Sequence, residues 1–74
     1  MEYGAEVTGL HLKLERVAQR VTATSIAAVM GVSSSRIGHI EASAFVTPET
    51  AQRYRAAVDT CVRERTSTRP AVTA

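Results

Sequence analysis

A chain of 74 residues with no Trp, one Phe and one Cys has room for one small core, and its Ala- and Val-rich apolar content suits packed helices rather than a sandwich or barrel. Its net charge of +2 and pI near 9.2 are too mild to argue for nucleic acid by themselves. The single Cys61 excludes an internal disulfide, no apolar run approaches the roughly 20 residues of a membrane span, and the acidic start MEYGAEVTGL lacks a signal-peptide pattern, so a cytoplasmic protein with no membrane partner is expected.

The make-up of the charge is more telling than its size. Eight of the nine basic residues are Arg, whose planar fork suits phosphates and guanine edges. An Arg- and Ala-rich codon bias would give the same count. Residues 1–46 balance four basic against four acidic side chains, whereas residues 47–74 hold five Arg against three acids.

In chain order, a first helix is expected from about Ala5 or Thr8 to Arg20. Val7, Leu10, Leu14, Val17 and Val21 follow a 3.6-residue spacing that would face them to the core and leave Leu12 outside. Thr22 is a candidate N-cap for a second helix, in which Ile26, Ala27 and Met30 share one face. Gly31 stands where that helix must stop, because glycine takes the left-handed conformation without Cβ strain. Val32 is expected to return to the core. Ser33 then caps a third helix, Ser34 to Ala42, with Ile37 and Ile40 as its buried edge. Its opposite edge offers Ser34, Ser35, Gly38 and His39, with Arg36 to one side. The small Ala27 allows the second and third helices to cross closely.

Ser43 to Val46 read as a loop. Thr47-Pro48-Glu49 then opens a fourth helix, with Thr as N-cap, Pro at the first helical position and Glu favourable to the helix dipole. Ala51, Tyr54, Val58, Cys61 and Val62 form its apolar stripe, and Phe45 is expected to pack beneath its start. Arg53 and Arg55 lie off that stripe. From Thr66 onward TSTRPAVTA has no periodicity and is expected to be a disordered tail, which leaves residues 1–65 as the domain.

The window Ala23 to Ala42 carries a resemblance. Ile26-Ala27, Gly31-Val32-Ser33, Ile37 and Ile40-Glu41 stand at the spacing of the helix-turn-helix in lambda-repressor, Cro and xenobiotic-response-element-like regulators, which these residues resemble. The likeness extends at a lower level over roughly residues 8–60. It implies an all-α, compact lambda-repressor-like domain of four helices, or five if the long last pattern divides. It also implies that Arg16 pairs with Glu41, tying the first helix to the third, and aligning Arg16 in that way would turn Leu12 inward. Glu41 facing solvent, Lys13 or Arg20 is the alternative.

By the same resemblance, the third helix enters the major groove of double-stranded DNA, with base contacts from Ser34, Ser35, Arg36, Gly38 and His39. Phosphate contacts would come from Thr24, Ser25, Ser33, Arg53 and Arg55. The function implied is sequence-specific transcriptional regulation, as a small Cro-like or immunity-type phage repressor. A homodimer on a palindromic operator is expected, with Val58, Cys61 and Val62 as its contact. Two positions depart from the family pattern. Arg20 replaces a common glycine before the second helix, which suggests a less sharp turn there. Ala23 replaces a glutamine that bonds phosphate, so Thr24, Ser25 and the helix N–H groups would have to serve instead.

Other chemistry finds no footing. His11, His39 and Cys61 lack metal-ligand spacing, the Ser33 to Ser35 run has no nucleophile-elbow context, and no glycine-rich phosphate loop occurs. No cofactor and no enzymatic activity are expected. The rival reading is a protein-interaction module, antitoxin-like or antirepressor-like, on the same fold.

Overall fold

The computed structural model describes residues 7–67, which form four α-helices: α1 (Gly9–Ala18), α2 (Ala23–Met30), α3 (Ser34–Ala42) and α4 (Pro48–Ser67). The fold is all-α, and the last pattern is one continuous helix of 20 residues. Its first turn is capped by Thr47, whose Oγ1 accepts from the Thr50 N–H at 3.2 Å. α4 takes in Thr66 and Ser67, the first two residues of the stretch read as a tail, and positions 68–74 are outside the described residues.

Each short helix starts on a hydroxyl. Thr8, Thr22 and Ser33 accept from the N–H groups of His11, Ser25 and Arg36, each at 3.1 Å, which satisfies one otherwise orphaned donor per helix. Two of the three helices also end alike. At the end of α2, Gly31 has φ 73°, and the N–H groups of Gly31 and Val32 return to the carbonyls of Ala28 and Ala27. At the end of α1 the N–H groups of Arg20 and Val21 return to Val17 and Arg16 in the same pattern, a Schellman ending. The expectation of a gentler turn at Arg20 is therefore corrected. Arg20 itself adopts φ 59° and makes the sharp turn that a glycine would make more cheaply. It also stops α1 two residues earlier than the pattern suggested.

The core holds Leu12, Val21, Ile26, Ala27, Ile37, Val46, Ala51, Tyr54, Ala57 and Val58. Leu12 is fully buried, whereas Leu10, Leu14 and Val17 are 58%, 57% and 51% exposed. The periodic reading holds for Val21, which is buried, and for Val7, which packs partly buried against the core, but it is overturned for Leu10, Leu14 and Val17: within α1 it is the other face that packs. That inward face carries Leu12 together with Gly9 and Arg16, two residues that no count of apolar positions recognises. Gly9 is buried where α1 meets the end of α3. A Cβ there would overlap the backbone oxygens of Ile40 and Glu41, so only glycine allows the two helices this approach. The Gly9 N–H donates to the Ser43 carbonyl at 2.9 Å at the same crossing.

Two further expectations fail for local reasons. Val32 is 36% exposed, because the left-handed turn at Gly31 sends its N–H inward and leaves the side chain at the surface. Phe45 is 58% exposed and does not pack beneath α4. Val46 takes that place instead, 4% exposed and held by an antiparallel bridge in which its N–H donates to Val7 at 2.9 Å.

Candidate nucleic-acid interface

The two-helix unit α2–α3 presents its polar side outward. Ile26 and Ala27 on α2 and Ile37 on α3 are buried, and this fixes the rotation of both helices about their axes. Thr24, Ser25, Ser33, Ser34, Ser35, Arg36, Gly38 and His39 are all exposed. At Gly38 an added Cβ would meet nothing within 4 Å, so nothing in the domain itself requires a glycine there. Two of the hydroxyls already have local duties. Ser33 caps α3, and Ser25 accepts from the Thr22 hydroxyl at 3.0 Å.

The back of α3 is fastened by a polar network. Arg16 donates from Nε to Oε2 of Glu41 at 2.8 Å and from Nη2 to Oε1 at 3.1 Å. Its Nη1 donates to the Val21 carbonyl at 2.9 Å, and Nε also reaches the Tyr54 hydroxyl at 3.2 Å. Tyr54, from α4, donates that hydroxyl to Glu41 Oε2. One carboxylate therefore joins α1, α3 and α4, while the guanidinium also holds the turn before α2. Burial alone would raise the Glu41 pKa, but the hydrogen bonds from Arg16 and Tyr54 outweigh it and hold the carboxyl below its ordinary range. Burial and the bond to Glu41 push the Tyr54 hydroxyl up. The hydrogen bond to Glu41 raises Arg16 further. With Glu41 so neutralised, α2 and α3 carry no free carboxylate, since Glu41 is the only acidic residue between Ala23 and Ala42.

The basic residues divide between two sides of α4. Arg53 shares a shallow groove with Met30, Val32, Arg36, Ile40 and Thr50, which puts it beside the α3 face. Arg36, His39 and Arg53 have no side-chain hydrogen bond or ion pair within the domain among the described residues. Arg55 faces the other way. Its Nε and Nη2 grip both oxygens of Glu15 on α1, at 2.9 and 2.8 Å. The Arg55 hydrogen bonds lower the Glu15 pKa and raise that of Arg55 in turn. The structure thus gives Arg55 a carboxylate partner on α1, whereas Arg53 lies beside α3.

The residues expected at the dimer contact lie along the inner side of the end of α4. Val58 is 8% exposed and belongs to the domain's own core, against which Cys61 and Val62 pack partly buried. Burial, and then the nearby Glu64 charge, push the Cys61 thiol pKa up. The end of α4 is tied back to α1, where Arg65 donates to the Gln19 carbonyl at 2.7 Å.

Sequence reasoning missed three residues of this arrangement. Tyr54 reads only as an apolar position, Gly9 gives no signal, and the hydrophobicity of Phe45 points to the interior. Among the described residues no group of His, Cys, Asp or Glu is placed to hold a metal ion, and no helix is long and apolar enough to cross a membrane. No protein-family model, curated protein or solved structure matches this chain.

Proposed function

We propose that this chain binds double-stranded DNA sequence-specifically by laying α3 in the major groove, and regulates transcription as a small Cro-like or immunity-type repressor on a lambda-repressor-like fold. One observation carries the reading: the outer face of α3 is wholly exposed and small or hydrogen-bonding, while the opposite face is locked by Ile37 and the Arg16–Glu41–Tyr54 network. A helix so fixed can present Ser34, Ser35, Arg36 and His39 to base edges in one orientation. Gly38 lowers the surface between them, which favours close approach to a groove floor.

Thr24, Ser25, Ser33, Arg53 and the N-termini of α2 and α3 would position the duplex through its phosphates. One such helix reads only a few base pairs, too few for useful discrimination among genomic sites, so two copies bind a palindrome with half-site centres about 34 Å apart. Titration of the protein with short duplexes at low salt tests this. Binding that weakens with salt at a slope of roughly −0.9 per phosphate contacted supports it.

A second reading has one observation in its favour. Leu10, Leu14 and Val17 form an exposed apolar stripe along α1, the kind of surface that marks protein contact. An antitoxin-like or antirepressor-like interaction module would use it. Complete absence of duplex affinity at low salt selects that alternative.

A further inference from the structure

Phe45 is held in the open rather than left loose. The loop that carries it is pinned on both sides: the Ser43 carbonyl accepts from the Gly9 N–H and the Val46 N–H donates to Val7, each at 2.9 Å. Ser43 also closes the end of α3, its hydroxyl donating to the His39 carbonyl at 2.9 Å. Val46 is buried, so its neighbour's ring must project, and Phe45 is 58% exposed as a result. The ring lines a shallow concavity of about 260 Å3 whose other walls include Arg36, His39, Thr47 and Thr50. The chain's only Phe therefore shares one surface with the two charged or aromatic side chains of the α3 outer face.

Resting on the DNA-binding reading above, we infer that Phe45 is a specificity-determining residue that packs its ring on the C5-methyl of a thymine at the end of the site read by α3. The major groove offers hydrogen-bonding atoms at every base edge but only one apolar group, the thymine methyl, and a phenyl ring has nothing else there to recognise. A preformed apolar contact adds affinity without the cost of ordering a loop, because the backbone on either side of Phe45 is already hydrogen-bonded. Burial of both surfaces also removes from water an aromatic side chain that the fold otherwise leaves exposed.

The test pairs a protein change with the loss of one methyl. A duplex selected by the wild-type protein is remade with deoxyuridine at each thymine in turn, and its binding is measured with wild type, Phe45→Ser and Phe45→Leu. The wild type should lose about fourfold in affinity at one thymine flanking the bases read by α3, the factor expected for one buried methyl-sized group. Phe45→Ser should bind more weakly overall and be indifferent to that replacement, while Phe45→Leu should retain part of the response. All variants should unfold at the wild-type temperature, since the side chain lies outside the core. If Phe45→Ser weakens thymine and deoxyuridine sites equally, the ring touches sugar or backbone and the assignment is overturned. Unchanged binding by Phe45→Ser also overturns it. A wild-type protein that binds no duplex overturns the proposed function itself, an outcome distinct from both.

Discussion

The Arg16 guanidinium and the Glu41 carboxylate meet in a two-pronged pair, 2.8 and 3.1 Å apart at its two bonds, with side chains only 12% and 9% exposed. Removing either partner leaves the other charge buried without its counter-charge, with only the neutral bonds to Tyr54 and Val21 remaining. Arg16→Met or Glu41→Leu should cost about 3 kcal/mol or more, a large share of what so small a domain has. Tyr54→Phe should cost only about 1–2 kcal/mol, since it deletes one hydroxyl from the network. Urea melts of the three variants check the order.

The same pair sets a pH dependence. The Glu41 pKa lies below the ordinary 4.5 in the folded protein, so the unfolded chain takes up its proton first. The stabilisation is therefore complete above about 4.5 and is lost as pH falls through the depressed folded value. Thermal melts from pH 7 downward should show the midpoint falling on the acid side, and Glu41→Gln should flatten that decline from a lower starting point.

Two glycines and the arginine that stands at a left-handed turn each give a prediction. Gly9→Ala must push α1 away from the Ile40 and Glu41 backbone and should destabilise by about 1–3 kcal/mol. Gly38→Ala meets open space and should stabilise the free protein by up to about 1 kcal/mol, yet weaken duplex binding if the groove comes close. Arg20→Gly should also stabilise, by up to about 1 kcal/mol, because the residue already sits at φ 59° where L side chains are strained.

The face on which α1 packs is checked by a pair of leucines. Leu12→Ala should cost about 2–5 kcal/mol, the range for a buried large-to-small change, and Leu14→Ala less than about 0.5 kcal/mol.

How much of this was legible in the sequence follows from what each signal encodes. Caps and stops are local chemistry, and Thr22, Gly31, Ser33 and the Thr47-Pro48 pair placed α2, α3 and the start of α4 closely. The inward face of α1 was not legible from periodicity, because Arg16 and Gly9 face inward there while Leu10, Leu14 and Val17 do not. Family resemblance pointed to the Arg16–Glu41 pair, but not to the Tyr54 hydroxyl that completes it. The assignment of Phe45 to the interior failed because hydrophobicity does not say which of two adjacent residues, Phe45 or Val46, the Val7 bridge draws inward. The partner of Arg55 was invisible for a related reason: Glu15 lies on another helix, and only the tertiary arrangement brings them together.

The most direct measurement is selection of bound sequences from a random duplex pool by the wild type and by Arg36→Ala, His39→Ala, Arg53→Ala and Arg55→Ala. The wild type should return a palindromic motif, and the two α3 variants should lose preference at particular positions, by about 1–3 kcal/mol at each if the lost contact is bidentate. Arg53→Ala should weaken all sequences alike, and Arg55→Ala should leave the motif unchanged, since its side chain holds Glu15. A pool that yields no motif, or a motif that both α3 variants preserve, would contradict recognition by α3.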